Sequence, residues 1–148
     1  MIFKEIHGDL FSASKEFSFA HCISKDKALG AGIAKIFRMQ FPDMIKKMES
    51  DTFIVGKTYG YTVLDNKING KRNILNLVTK DRYFQKPSYA SLEKSLYSLR
   101  DLIVSHHIKN LAIPKLGCGL DRLNWERVAS IIRKIFCDLD INIFVYYL

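Results

Sequence analysis

Two short stretches combine small residues with reactive side chains at spacings suited to holding a ligand. The first, AHCISKDKALGAGIAKIF, runs from Ala20 to Phe37. The second, IPKLGCGLDRLNW, runs from Ile113 to Trp125. Each reads as a strand, a glycine-rich loop and a helix start. Glycines let the backbone approach a ligand closely, and the free N–H groups of a helix's first turn favour an anion. Neither spacing fits the dinucleotide fingerprint or the P-loop. Two such loops in one small chain could hold two phosphates of a single ligand. Each loop also reads as a tight turn whose glycines merely allow close packing.

Three side chains in or near these loops could react. Cys118 lies between Gly117 and Gly119 and would need a base or a cation to become a thiolate. His21 is the one histidine nearby in the pattern, and a small residue fitted between two glycines explains Cys118 better. Lys80, in NLVTKDRYFQKPSY, follows an apolar strand that would deliver it to the ligand edge of a sheet. A lysine is a nucleophile only when neutral, which burial or neighbouring cations such as Arg82 and Lys86 would promote. Taken alone, Lys80 reads equally as a solvated loop lysine. Asp9, in IHGDLF, could accept a hydrogen bond from a purine amino group, or simply shape a turn.

The elements that must position these residues alternate along the chain. Residues 2–6 and 17–23 read as strands. Residues 31–41 read as a helix with Ile33, Phe37 and Phe41 on one face, broken at Pro42 before a short second helix. KTYGYTVLD and RNILNLVT flank the turn composition NKING and predict a hairpin. A long helix over 87–103 has Ser88 as its cap and Leu92, Leu96, Leu99 and Ile103 as its buried stripe. NLAIP is a short buried strand. WERVASIIRKIF is a helix capped by Asn124, with Leu123 and Val128 placed for a hydrophobic staple. INIFVYYL reads as a final strand reaching Leu148. Interleaved strands and helices predict α/β layers, and the hairpin makes the sheet mixed. Ligands of such sheets bind beyond the carboxyl ends of strands, where both glycine loops lie.

The 148 residues suit one domain, 1–148, with 48% apolar and 26% charged residues. No apolar run is long enough to cross a bilayer, and the charged start does not resemble a signal peptide. The expectation is a cytoplasmic monomer with no membrane association. Cys22, Cys118 and Cys137 form no C-x-x-C pair, so neither a disulfide framework nor a metal site is expected, and His106 and His107 do not supply one. The net charge of +8 favours an anionic partner, although a lysine-rich solvated surface explains it more simply.

Together, GDLF, AHCISKDKALGAGIA, LVTK with KPSY, and GCGLDRLNWE resemble a macrodomain, and most closely the terminal ADP-ribose protein glycohydrolase subfamily. The motifs occur in the family's order and cover nearly the whole chain. The asparagine-rich first loop of another macrodomain class is absent. The resemblance implies a single macrodomain with a mixed sheet sandwiched between helices, a three-layer α/β/α fold. It implies that Asp9 contacts adenine, that His21, Cys22 and Ser24 line the first loop, and that Gly30 and Gly32 serve phosphate and distal ribose. Gly117, Cys118, Gly119 and Leu120 would wrap the diphosphate through backbone N–H groups, and Leu148 would approach the adenine side. Leu10, Ala31, Ile33, Thr79 and Pro114 complete the implied ligand-binding set. Lys80 and Asp121 would be the catalytic pair, without metal or cofactor. The implied activity is removal of mono-ADP-ribose from acidic side chains of proteins, extending to O-acetyl-ADP-ribose. A non-catalytic reader of ADP-ribose and a hydrolase of ADP-ribosylated DNA bases are the alternatives.

Overall fold

The computed structural model describes residues 1–148. Its strands are β1 (Ile2–His7), β2 (Ser18–Ser24), β3 (Thr58–Asp65), β4 (Gly70–Lys80), β5 (Asn110–Ile113) and β6 (Asn142–Tyr147). Its helices are α1 (Gly32–Gln40), α2 (Pro42–Glu49), α3 (Tyr89–Ser105) and α4 (Trp125–Phe136). The strands form one sheet in the order β1-β6-β5-β2-β4-β3. All neighbours are parallel except β3 and β4, the hairpin that the turn at 66–70 predicts. No helix is long and apolar enough to cross a membrane.

Alternating side chains send the central strands' apolar residues to both faces. Leu75 and Leu77 of β4 join Ala20, Leu111 and Ile143 under the stripes of α3 and α4. Ile74 and Val78 of the same strand join Phe19 and Ala112 under Phe37 of α1 and Met44 and Met48 of α2. The result is the expected helix–sheet–helix sandwich. The α3 stripe of Leu92, Leu96, Leu99 and Ile103 is fully shielded, and each such side chain contributes about 1.5–3 kcal/mol through burial.

Local chemistry sets the helix starts. The Ser88 hydroxyl accepts from the Ser91 amide at 3.0 Å, and the Ser91 hydroxyl accepts from the Ser88 amide at 3.2 Å. This reciprocal box starts α3 with serine in place of the usual glutamate. Asn124 caps α4 by accepting from the Arg127 amide at 3.0 Å. Pro42 opens α2, where its missing N–H costs nothing.

Three features differ from the sequence-based expectation. The final strand stops at Tyr147, and Leu148 is 93% exposed. Residues Leu10–Ser12 form a 3-10 turn, with Asp9 as its cap accepting from the Phe11 amide at 3.0 Å. Leu10 therefore belongs to the core. His21, expected along the first loop, points its ring into the α1 face, stacked 3.8 Å from the Phe37 ring and 2.6 Å from Asn76 Oδ1. The reason is strand parity: in β2, His21 falls on the same face as Phe19 and Ile23.

A further feature has no signature in the sequence. Arg72, fully buried, pairs with Asp65 at 3.0 Å across the hairpin and donates to the carbonyls of Ala13, Ser14 and Phe17. It fastens the segment before β2 to the β3–β4 edge. Carbonyl and carboxylate partners together satisfy a charge that would otherwise be prohibitive to bury.

Burial pushes His21 down to about 4, against an ordinary 6.5, while the bond to Asn76 works weakly the other way. Between these values the unfolded chain binds a proton that the folded protein excludes. Stability is therefore lost as pH falls through this window, at about 1.4 kcal/mol per pH unit from this residue. Urea denaturation from pH 4 to pH 7 should show a markedly flatter dependence in His21→Gln, which keeps an amide for Asn76 but cannot titrate. An unchanged slope would mean that other groups govern acid sensitivity.

Candidate active site

β5, β2 and β4 lie side by side, and the segments after their carboxyl ends surround a cavity of about 890 Å³. That volume lies in the upper range for small-molecule sites. The segment after β2 leads to α1. Its N-cap is Ala31, which has no side chain able to cap, and Gly32 takes φ +58°. The first amides of α1 are thus left facing the cavity without a protein acceptor, a geometry that attracts an anion.

The segment after β5 makes a tight projecting turn. Leu123 N–H donates to the Gly117 carbonyl at 2.8 Å and Arg122 N–H to the Gly119 carbonyl at 3.2 Å. The Cys118 amide is used inside the turn, on the Lys115 carbonyl. The amides of Gly119, Leu120 and Asp121 donate to no protein group. Of the expected set, then, the Cys118 amide is spent inside the turn, while Gly119 and Leu120 keep theirs available. The two glycine segments face each other closely: a Cβ on Gly32 would lie 3.3 Å from Leu120 Cδ1.

Lys80 ends β4 and reaches Asp121 across this gap, with Nζ 2.5 Å from Oδ1. The side chains are 14% and 17% exposed, so water screens the pair much less than at a surface. A bulge aims the lysine. Val78 pairs with Ile23 and Lys80 with Ser24, leaving Thr79 as the extra residue. Without it, alternation would turn Lys80 to the α1 face with Val78. The bulge instead gives it the face of Cys22 and Ser24. The Ser91 hydroxyl at the start of α3 donates to the Thr79 carbonyl at 2.6 Å and holds the bulge.

Both nearby thiols are unsuited to attack. Burial drives Cys22 well above the ordinary thiol range, and Asp121 and Cys118 add to the effect. Burial pushes Cys118 up to about 11; Lys115 opposes this and Asp121 reinforces it. At neutral pH both remain thiols, so the cysteine between the glycines is a packing residue. Asp26 has a structural role. Burial would raise it, but bonds from the Ser24 hydroxyl and the Tyr83 and Ala28 amides hold its carboxyl below the usual range. It ties the first loop to the segment after Lys80.

Of the residues expected at the site, Cys22, Ser24, Gly30, Ala31, Gly32, Ile33, Lys80, Pro114, Gly117, Cys118, Gly119, Leu120 and Asp121 line this cavity. Asp9, Leu10, His21, Thr79 and Leu148 do not. Thr79 is the buried bulge residue, and its Oγ1 has no partner. Asp9 is exposed beside the end of β6, where Gly8 N–H donates to the Tyr147 carbonyl at 2.8 Å. The cavity also has walls outside the expected set, including Tyr83 and Phe84 after β4 and Tyr146 and Tyr147 at the end of β6. The signal for the last two was available: they end a parallel strand at the ligand edge.

Known proteins share this architecture. The sequence model of the Macro domain family matches residues 20–132. Human ADP-ribose glycohydrolase OARD1 is 40% identical, with 97% of this chain and 90% of that protein covered. The DNA ADP-ribosyl glycohydrolase of Mycobacterium tuberculosis is 27% identical over 94% of this chain, which spans 40% of that protein's length. The solved macrodomain of M. tuberculosis DarG superposes with a TM-score of 0.85 at 26% identity, covering 99% of this chain and 98% of that one.

The two glycines of the second loop are not equivalent. Gly117 takes φ +71°, and a Cβ there would meet Leu123 Cδ1 at 2.9 Å. At Gly119 a Cβ would meet nothing within 4 Å. Gly117→Ala should cost about 1–2 kcal/mol from the left-handed backbone alone, lowering the thermal midpoint by several degrees. Gly119→Ala should leave the midpoint within a degree or so. Calorimetry on the two variants checks the contrast, and equal midpoints would contradict it.

Proposed function

This chain belongs to the macrodomain family, and from that premise we propose that it is an ADP-ribosyl hydrolase working through Lys80. Its substrate, on this reading, is mono-ADP-ribose esterified to glutamate or aspartate side chains of proteins. The observation that carries the reading is the Lys80–Asp121 contact of 2.5 Å on the wall of the cavity, between two anion-favouring loops. The 40% identity to a human ADP-ribose glycohydrolase supports the reaction class.

The pose follows from the donors. The diphosphate lies between the first amides of α1 and the amides of Gly119 to Asp121. Adenine then extends toward Tyr146 and Tyr147, with Asp9 beyond them on the rim. The distal ribose extends the other way, toward Lys80. Holding the diphosphate from both sides fixes C1″ beside the amine, which is catalysis by positioning.

In the resting pair Lys80 donates to Asp121. For attack, the ammonium passes a proton to the carboxylate, and the amine lone pair forms a bond to C1″. The bond from C1″ to the ester oxygen breaks, and its electron pair leaves on a carboxylate. A carboxylate of reference pKa about 4.3 departs without an acid. Asp121 gives the lysine's proton up to solvent as the carboxylate leaves, and water then releases ADP-ribose from the lysine, with Asp121 taking the proton of the attacking water. A non-catalytic reader would have no use for this amine–carboxylate pair.

With a glutamate-linked ADP-ribosyl peptide, Asp121→Asn should lower kcat by about 10²–10⁴-fold, the usual scale for a lost acid–base group. Lys80→Ala should fall at least as far, while ADP-ribose binding by calorimetry stays within a few-fold of wild type. Equal turnover in wild type and Lys80→Ala would overturn the assignment. Tight ADP-ribose binding with a wild type inert on the ester would favour the reader.

A further inference from the structure

The pairing of β2 with β4 continues past the ends of both strands. Lys25 N–H donates to the Lys80 carbonyl at 2.9 Å and Asp26 N–H to the Asp81 carbonyl at 3.2 Å. Beyond that rung the two segments part. One carries Ala28 toward the first amides of α1, the other carries Tyr83 along the opposite wall, and Ala28 and Tyr83 both line the cavity. Asp26 sits at the fork. Its Oδ1 accepts from the Ser24 hydroxyl at 2.5 Å and the Ala28 amide at 3.1 Å, and its Oδ2 from the Tyr83 amide at 2.9 Å. Asp26 itself does not line the cavity.

The branch that carries Ala28 is strained. Lys27 takes φ +61° and Leu29 φ +40°. Left-handed backbone is costly for residues with side chains and persists only where the surroundings over-determine it. Three restraints come from the side of the covering helices. Leu29 joins the core cluster of Phe37, Met44 and Met48. Lys27 Nζ donates to the Asp51 carbonyl at 2.5 Å, and the Arg38 guanidinium to the Ala28 carbonyl at 3.3 Å. Among the hydrogen bonds of residues 27 to 31, the one that leads to the segment after Lys80 runs through the Asp26 carboxylate. Without it the strained branch is held from one side and has room to relax.

We propose that Asp26 is a positioning residue: by holding Ala28 and Tyr83 with opposite oxygens of one carboxylate, it fixes the seat of the diphosphate relative to Lys80 and so sets the approach of Nζ to C1″. This rests on the hydrolase reading and adds to it a residue that touches neither substrate nor amine. On the pose above, the diphosphate takes the first amides of α1, just beyond Ala28 in the chain. Lys80 lies three residues before Tyr83. A shift of the seat therefore carries C1″ away from the amine. Binding tolerates a small displacement, because donors on both loops still reach the diphosphate. Bond formation does not, and a misplacement of about 1 Å can cost about 10²-fold in rate.

The test is Asp26→Asn in the full chain. An amide has one acceptor oxygen, so whichever way it turns it can serve Ala28 or Tyr83 but not both. Two quantities are read well below the variant's thermal midpoint, so that unfolding does not enter. One is the single-turnover rate constant on the glutamate-linked ADP-ribosyl peptide with enzyme in excess. The other is Kd for ADP-ribose by calorimetry. The rate constant should fall about 10- to 100-fold while Kd stays within about threefold of wild type. A mere prop for the fold would lower the midpoint without producing that split. A rate constant within about twofold of wild type, or a Kd that weakens as far as the rate falls, would overturn the proposal. A wild type that binds ADP-ribose and releases none from the peptide would instead overturn the hydrolase reading beneath it.

Discussion

Three adjacent parallel strands, β5, β2 and β4, end at one edge of the sheet, and the chemistry of this chain depends on that adjacency. β5 is followed by the Gly117–Gly119 turn, β2 by the Gly30–Gly32 segment, and β4 ends in Lys80. These residues are distant in sequence, yet sheet pairing brings them to one cavity. Each strand is held by apolar contacts on both faces, so its carboxyl end is a rigid support for the loop after it. Small deviations then aim the functional groups. One extra residue, Thr79, turns Lys80 toward Asp121, and one left-handed glycine, Gly117, closes the turn that presents Asp121.

The same burial that stabilises the site sorts its nucleophiles. Two thiols and one amine border the cavity. Withdrawal from water disfavours a thiolate, and the nearby Asp121 carboxylate disfavours it further. An amine held against that carboxylate has its proton acceptor already in contact. Cys118 sits in the most conspicuous place in the sequence, and its contribution is to fit a narrow turn.

Much of this was legible in the residue pattern, for physical reasons that differ by element. Periodicity located the buried stripe of α3 because burial on one helical face demands it, and the Asn124 cap located the start of α4. The NKING turn between two β-rich runs located the hairpin. The glycine loops were legible because backbone approach requires glycine. What escaped were features set by parity and by tertiary contact. His21 neighbours loop residues in sequence, but alternation in β2 sends its ring beneath α1. Arg72 looks like one more surface cation until the Ala13–Phe17 segment folds over it. The bulge at Thr79 has no local signature, because only the pairing of two distant strands defines it.

The central claim is that Lys80 becomes covalently attached to C1″ during turnover. The most direct measurement is borohydride reduction of the wild-type enzyme during turnover of a glutamate-linked ADP-ribosyl substrate, followed by peptide mass spectrometry. The lysine–C1″ adduct is a glycosyl amine that opens to a reducible imine, so the account predicts one adduct of ADP-ribosyl mass plus two hydrogens, on the peptide containing Lys80. Turnover without any trapped adduct, or an adduct confined to another residue, would contradict it.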